Sequence, residues 1–225
     1  MARKSEESGR TYRGKAAGDR SAERRARFLD AGLELFGKQG FAGTTVKGLC
    51  NEAGLTERYF YESFENREQL FTEVAAHCVA GLMARLVAAR AEAGEDRERF
   101  TRGMLEVFFR WFEEDPRRAR IQLVEPLVMG PDFHTLYRDV TAMFVAMLHD
   151  ITTSHYDESL RARGVDADLL ATALVGAAIE IVKEWVLGGY RQSLEEMIRT
   201  TSFLFDSLAD TLERAERQGR AARSA

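Results

Sequence analysis

Apolar side chains recur with a helical period along nearly the whole chain, and no segment shows the two-residue alternation of a half-buried strand. Phe28, Leu29, Gly32, Leu33, Leu35 and Phe36 form an apolar stripe behind Ser21, a suitable N-cap, and Gly40 offers a stop, so a first helix is predicted over about residues 22–39. Thr45 caps a short second helix (46–52), Ala53-Gly54-Leu55 makes a tight turn, and Thr56 caps a third helix to about residue 61. Two short helices joined through a glycine turn form a helix-turn-helix candidate. Asn66 and Gln69 resemble a capping box for a fourth helix that meets no breaker before Ala93-Gly94. A fifth helix starts at Asp96 and is apolar almost all round from Met104 to Phe112, interrupted only by Glu106 and Arg110, which predicts a central helix with neighbours on every side. Asp115-Pro116 ends it and caps a sixth, bent by Pro126 and closed by Gly130-Pro131. Phe133, Tyr137, Val140, Phe144, Met147 and Ile151 share one face of a long seventh helix that fades over 155–164. An eighth helix is predicted over 166–187, stopped by Gly188-Gly189, and the capping box of Ser193 and Glu196 opens a ninth carrying Leu194, Ile198, Thr201, Phe205, Leu208 and Leu212. The fold class is therefore all-α: an N-terminal three-helix helix-turn-helix domain and a C-terminal helical domain, about nine helices in all.

Composition narrows this picture. With 225 residues, 45% hydrophobic and 30% charged, the chain is an ordinary globular protein large enough to bury a core, which excludes wholesale disorder and fibrous structure. Residues 1–20 lack hydrophobic periodicity and read as a flexible basic arm, followed by the helix-turn-helix domain (21–66), the second domain (67–217) and a frayed tail (218–225). Net charge is −4, but residues 1–27 carry nine Arg and Lys against four Asp and Glu, a local +5 that leaves −9 for the rest. A basic arm on an acidic body points to a polyanion bound at one end. No apolar run approaches the roughly 18 residues that span a bilayer, and the first residues lack a signal-peptide stretch, so a cytoplasmic protein without membrane contact is expected. Cys50 and Cys78 read as buried small side chains. His77, His134, His149 and His155 share no metal-ligand motif, and neither a phosphate-binding glycine loop nor a nucleophile signature occurs. No metal, no cofactor and no enzymatic activity are expected.

Residues 28–71 read as one block, FLDAGLELFGKQGFAGTTVKGLCNEAGLTERYFYESFENREQLF. The stretch from Ala31 to Phe36 ending in Gly40, the Thr44-Thr45 pair, Leu49-Cys50 before Ala53-Gly54-Leu55, and then Thr56, Phe60-Tyr61, Phe64, Arg67 and Leu70 resemble the tetracycline-repressor (TetR) family of bacterial transcription regulators. The resemblance implies a homodimeric, sequence-specific DNA-binding regulator, most simply a repressor, released from a palindromic operator in double-stranded DNA by a small, largely apolar effector. It also implies that the C-terminal domain binds this ligand and pairs its last two helices across a two-fold axis. Ala171, Ala173, Gly176, Ala177 and Ala178 on the eighth helix permit such close approach, although both helices could instead close the monomer's own core.

A helix-turn-helix places its second helix in the major groove between phosphate-binding anchors. Thr44 and Thr45 sit at a helix start, where hydroxyls and free N–H groups favour an anion, or serve only as N-caps. Tyr61 and Ser63 are polar positions beside the core-facing Phe60 and Phe64. Arg67 lies in the first turn of the fourth helix, where the macrodipole disfavours a cation and an external phosphate would favour it; a nearby acid is the alternative partner. Base reading falls to Thr56, Glu57, Arg58 and Tyr59. The sequence departs from the family's usual pattern at Arg58, often a small residue, and at Ser63, where a histidine often stands. In the second domain, Met104, Phe108, Trp111, Phe112, Phe133, Tyr137, Phe144, Met147, Glu180 and Trp185 are the candidate ligand-lining residues, since polar groups such as Glu125, His134, Tyr137 and Glu180 are costly to bury without partners. Packing as ordinary core, or helix pairing such as Glu180 with Lys183, is the rival explanation.

Overall fold

In the computed structural model the backbone is described for residues 5–94 and 96–223, and the side chains for residues 19–94, 96–130, 133–135, 137–214 and 217. Among the described residues every regular element is helical: α1 (Ser5–Gly43), α2 (Val46–Ala53), α3 (Glu57–Ser63), α4 (Arg67–Ala93), α5 (Arg97–Glu114), α6 (Pro116–Ala119), a π-turn (Arg120–Val124), α7 (Glu125–Val128), α8 (Pro131–Ala162), α9 (Ala167–Leu187) and α10 (Leu194–Arg223). Because α6, the π-turn and α7 follow one another without a gap, they form one bent element, and the described chain carries nine helical segments. Pro126 has no N–H to offer the Gln122 carbonyl, and the Glu125 N–H donates instead to Arg120, five residues back.

The chain divides into two compact units, Met1–His77 and Cys78–Ala225, with the boundary inside α4 and not at residue 66. The first unit is packed around phenylalanines: Phe28, Phe36, Phe60, Phe64 and Phe71 are all 2% exposed or less. Phe28 meets Phe60 edge-on at 5.4 Å and Phe36 meets Phe71 at 5.3 Å between ring centres. α1 begins at Ser5, within the stretch expected to be a flexible arm, since residues 5–20 contain no proline to break the helix that the apolar stripe anchors further on; residues 1–4 lie outside the described residues. Its regular part stops at Gly40 (φ 77°), as the pattern predicts. Thr45 caps α2 by accepting from Gly48 N–H (3.0 Å), and Gly54 (φ 62°) closes it while Leu55 N–H reaches Cys50 O (2.9 Å). At the start of α4, Asn66 Oδ1 accepts from Gln69 N–H (2.8 Å), while the Gln69 side chain reaches back to Glu65 N–H (2.6 Å), one residue beyond the expected capping box.

α4 is, by length and composition alone, long and apolar enough to cross a bilayer, contrary to the expectation that no such run exists. Leu70, Phe71, Val74, Ala75, Cys78, Val79, Leu82 and Leu86 are nonetheless buried at helical spacing, so its apolar face is covered by protein. In the second unit α5 buries Leu105, Phe109, Trp111 and Phe112. It is not enclosed on every side: Arg102 and Arg110 are exposed and pair with Glu195 and Glu106, each at 2.6 Å. α8 runs through the stretch expected to fade, with a kink at Tyr156 and a stop at Gly164 (φ 64°). Asp166 caps α9 through Leu169 N–H (2.9 Å), and Ser193 and Glu196 cap each other at the start of α10 (2.8 and 3.3 Å). α10 continues helically to Arg223, past the residue where fraying was expected; residues 224 and 225 lie outside the described residues. Both cysteines are free and buried, and burial raises both thiols, Cys78 to about 11, which keeps them un-ionised.

Candidate nucleic-acid interface and ligand cavity

The residues expected to touch DNA fall into three groups. Thr56, Glu57, Arg58 and Tyr61 form an exposed face on and just before α3, with Tyr61 59% exposed. Thr56 stands at the N-cap, but its side chain makes no capping hydrogen bond. Arg58 projects furthest, its side chain 83% exposed, and pairs one turn later with Glu62 at 2.9 Å. Glu62 is thus offset by Arg58 and approached by Arg24 at 4.0 Å.

A second group stands at helix ends. Thr45 is exposed, and its hydroxyl, while accepting from Gly48, keeps its own hydrogen free to donate outward. Ser63 is half-buried, and its hydroxyl donates to Tyr59 O (2.9 Å).

The third group is taken up by the fold, and here the sequence reading is corrected. Thr44 is fully buried: its hydroxyl donates to Gly40 O (2.8 Å) and accepts from Gln39 Nε2 (3.4 Å), so it has no free face for a phosphate. The Arg67 guanidinium donates to the carbonyls of Thr44 and Phe41 and lies 4.6 Å over the Phe41 ring. Arg67 therefore holds the linker that presents Thr45, and the mismatch with its helix dipole is met by internal carbonyls. The Tyr59 ring is covered by Arg24 at 4.5 Å. Sequence reasoning passed over Lys47, exposed on the first turn of α2, and Arg25, which ties α1 to α3 through Ser63 O (2.5 Å) and to Glu73 on α4. A count of basic residues around the helix-turn-helix could have singled them out.

The second unit contains a cavity of about 600 Å³. Six of the ten expected lining residues face it: Met104, Phe108, Phe112, Tyr137, Phe144 and Met147. Four do not. The guanidinium groups of Arg118 (3.8 Å) and Arg85 (4.9 Å) lie over the Trp111 ring, and its indole N–H donates to Gln122 Oε1 (3.0 Å). Trp185 is buried against Phe109 and Tyr190 and donates to Gln192 O (2.8 Å). Glu180 is exposed and pairs with Lys183 (2.5 Å), the helix pairing named as its rival role, and Phe133 stands half-buried outside the lining. Glu125, buried at 5% exposure, is likewise satisfied by Arg120 (2.8 Å).

The cavity is elongated and two-ended. It follows α5 from Arg97 to Phe112, a rise of about 22 Å at 1.5 Å per residue. Near the start of α5 its lining is polar: Arg97 pairs with Asp210 (2.6 Å) and Glu213 (3.3 Å), and Tyr156 donates to Glu213 (3.3 Å). Beside them on α10, burial raises the Asp206 carboxyl above its usual range. Toward the end of α5 the lining is aromatic and aliphatic except for Gln122, Tyr137 and Thr141. The polar end was missed because its members come from α4, α5, α8 and α10 and share no local pattern. Among the described residues no group of three His, Cys, Asp or Glu side chains is placed to hold a metal ion.

Comparison with known proteins bears on the helix-turn-helix first. Residues 28–74 match the family model for bacterial regulatory proteins of the tetR family. The transcriptional activator FasR of Mycolicibacterium smegmatis is 24% identical over 73% of this chain and 73% of its own length, and the transcriptional repressor AcnR of Corynebacterium efficiens is 23% identical over 78% and 84%. In three dimensions the chain is similar to the fatty acid degradation regulator FadR of Bacillus halodurans, with a TM-score of 0.71 at 16% identity, covering 80% of this chain and 93% of that one. FadR of Bacillus subtilis, solved in complex with stearoyl-CoA, gives a TM-score of 0.65 at 15% identity over 80% and 96%. The exposed α3 face on a closed aromatic core and the matched segment around it lead to one identification: residues 28–74 carry the helix-turn-helix segment of the bacterial regulatory proteins of the tetR family.

Proposed function

We propose that this protein is a homodimeric, sequence-specific repressor that leaves a palindromic operator when a largely apolar ligand fills the cavity of its second unit. The observation that carries this reading is the presence in one chain of a helix-turn-helix with an exposed α3 face and an elongated cavity of about 600 Å³ with aromatic, aliphatic and methionine walls. Arg58 is the base-reading residue, suited to a bidentate grip on guanine once it leaves Glu62. Thr56 and Glu57 read beside it, and Thr45, Tyr61, Ser63 and the basic residues of α1 serve the backbone. A single long acyl chain is the ligand class that agrees with both the shape of the cavity and the stearoyl-CoA complex of the Bacillus subtilis relative.

Dimer formation falls to α9 and α10. Leu169, Ala173, Gly176 and Leu187 form an exposed stripe on α9, and Phe203 (75% exposed) and Leu204 continue an exposed apolar surface on α10. Such side chains gain by burial against a second copy. α4 couples the two activities: it opens at Arg67, whose guanidinium holds the Thr45 linker, and lines the cavity with Leu82, Leu86 and Arg90. A ligand that favours one setting of this helix changes operator affinity without touching DNA, and about 3 kcal/mol of coupling corresponds to roughly 150-fold.

The test is selection of duplexes bound by the full chain from a random library, with the mass of the protein measured by light scattering. An enriched palindrome and a mass of two chains are expected. A mass of one chain at micromolar concentration, or the lack of salt-dependent binding to any duplex, overturns the reading.

A further inference from the structure

The Gln122 side chain both faces the cavity and is locked from behind. Its Oε1 accepts the indole N–H of Trp111 at 3.0 Å. Because an indole nitrogen only donates, the amide oxygen must face Trp111 and the NH₂ group must face away. Trp111 cannot follow a swinging amide. Arg118 and Arg85 lie against its ring at 3.8 and 4.9 Å, and a Cβ added to Gly81 would stand 2.6 Å from its Cη2, so the indole occupies the space that only a glycine on α4 leaves. The π-turn fixes the backbone on the other side, with Ile121 and Leu123 buried to either side of Gln122. Among the described residues no protein acceptor meets the Gln122 Nε2 group, and its neighbours along the wall include Phe108, Phe112, Leu123 and Phe144. Gln122 is half-buried, and once a ligand displaces water from its NH₂ group the donor costs free energy unless the ligand accepts from it.

We propose that Gln122 is a preorganised hydrogen-bond donor of the cavity, and that the ligand carries an acceptor oxygen, a carbonyl or ether, seated against its Nε2. The proposal rests on the reading of the cavity as the ligand site and adds the chemistry that selects within it. The acceptor lies toward the far end of α5 from the Arg97 and Glu213 cluster, so an apolar molecule of the right length without an oxygen there leaves the amide unpaired. Through Trp111 the same contact bears on α4 at Gly81 and Arg85.

The experiment compares 2-decanone with 1-decene, equal in length and differing in the oxygen, by displacement of the fluorescent dye 1-anilinonaphthalene-8-sulfonate from the full chain. The preference for ketone over alkene is measured in the wild type and in two variants. Gln122→Glu keeps an acceptor for Trp111 and, ionised, has no hydrogen to donate; Gln122→Leu removes both functions. The preference is expected to fall by about three- to tenfold in each, with thermal unfolding little changed. Trp111→Phe, which frees the amide to rotate, should fall between wild type and Gln122→Leu. If Gln122→Leu unfolds, Gln122→Glu alone decides. An unchanged preference in Gln122→Glu overturns the assignment while leaving the cavity as the ligand site. Displacement by neither compound from the wild type overturns the cavity reading itself, and the assignment with it.

Discussion

The two units use the same aromatic residues to opposite ends. In the first, Phe28, Phe36, Phe60, Phe64 and Phe71 are sealed, and each ring meets another edge-on or tilted at 5.3 to 6.2 Å. In the second, Phe108, Phe112 and Phe144 share a wall with Met104 and Met147, and the helices they stand on leave about 600 Å³ between them. Short helices joined by tight turns bring small faces together and can fill the space completely. Long helices such as α8 and α10 line the cavity instead, and flexible methionines suit an irregular gap that a ligand fills. The difference teaches that an aromatic stripe at helical spacing means a core or a cavity according to how closely the facing helix approaches.

The sharpest way to break this comparison is to remove one ring from the sealed unit. Phe60→Ala should cost about 3–5 kcal/mol of stability and abolish duplex binding, measured by chemical denaturation and gel shift; a loss below about 1 kcal/mol would mean that the first unit is as loosely filled as the second. Next in size, Arg58→Ala should lower discrimination at one base pair per half-site by about 1–3 kcal/mol, read from selected duplex libraries, while overall stability stays within about 0.5 kcal/mol because its partner Glu62 is exposed. An unchanged motif would remove Arg58 from the reading face. Thr45→Ala should destabilise the protein by about 1 kcal/mol through loss of the α2 cap and weaken all duplexes alike, as thermal unfolding and binding to unrelated duplexes would record. The smallest expected effect on stability sharpens the contrast from the other side. Phe108→Trp enlarges a side chain in a space that is already open, so it should change stability by less than about 1 kcal/mol, where a close-packed core would lose about 1–3, and yet displace the bound dye.

Much of the first unit was legible in the sequence because its signals are local. Thr45, Gly54 and Gly40 mark the ends of elements through bonds to residues within five positions, and the structure places these ends within a residue or two of the predicted ones. Arg67 was misread for the opposite reason, and Thr44 because its burial depends on how the chain after Gly40 packs. Both lie where a phosphate contact would be chemically reasonable, but their partners are main-chain carbonyls whose availability depends on how the linker after Gly40 folds back, with Arg67 reaching 23 residues away in sequence. Trp111, Trp185 and Glu180 show the same limit in the second unit. Helical spacing states that a side chain belongs to an apolar or polar stripe, and leaves open whether the facing surface is a guanidinium, a carbonyl or empty space.

Sequence alone therefore determined the helical class, the helix-turn-helix with its caps and turn, the candidate reading face on α3 and the resemblance of residues 28–74 to the tetR family, since each follows from residue types at short, fixed spacings. Tertiary structure alone decided which carbonyls hold Arg67, which six of ten apolar and polar candidates meet around one cavity, that Arg97, Glu213 and Tyr156 close its polar end, and that Gln122 stands locked against Trp111. These are contacts between helices distant in the chain, and the free energy that sets them depends on the distance and angle between whole elements, which no local pattern encodes.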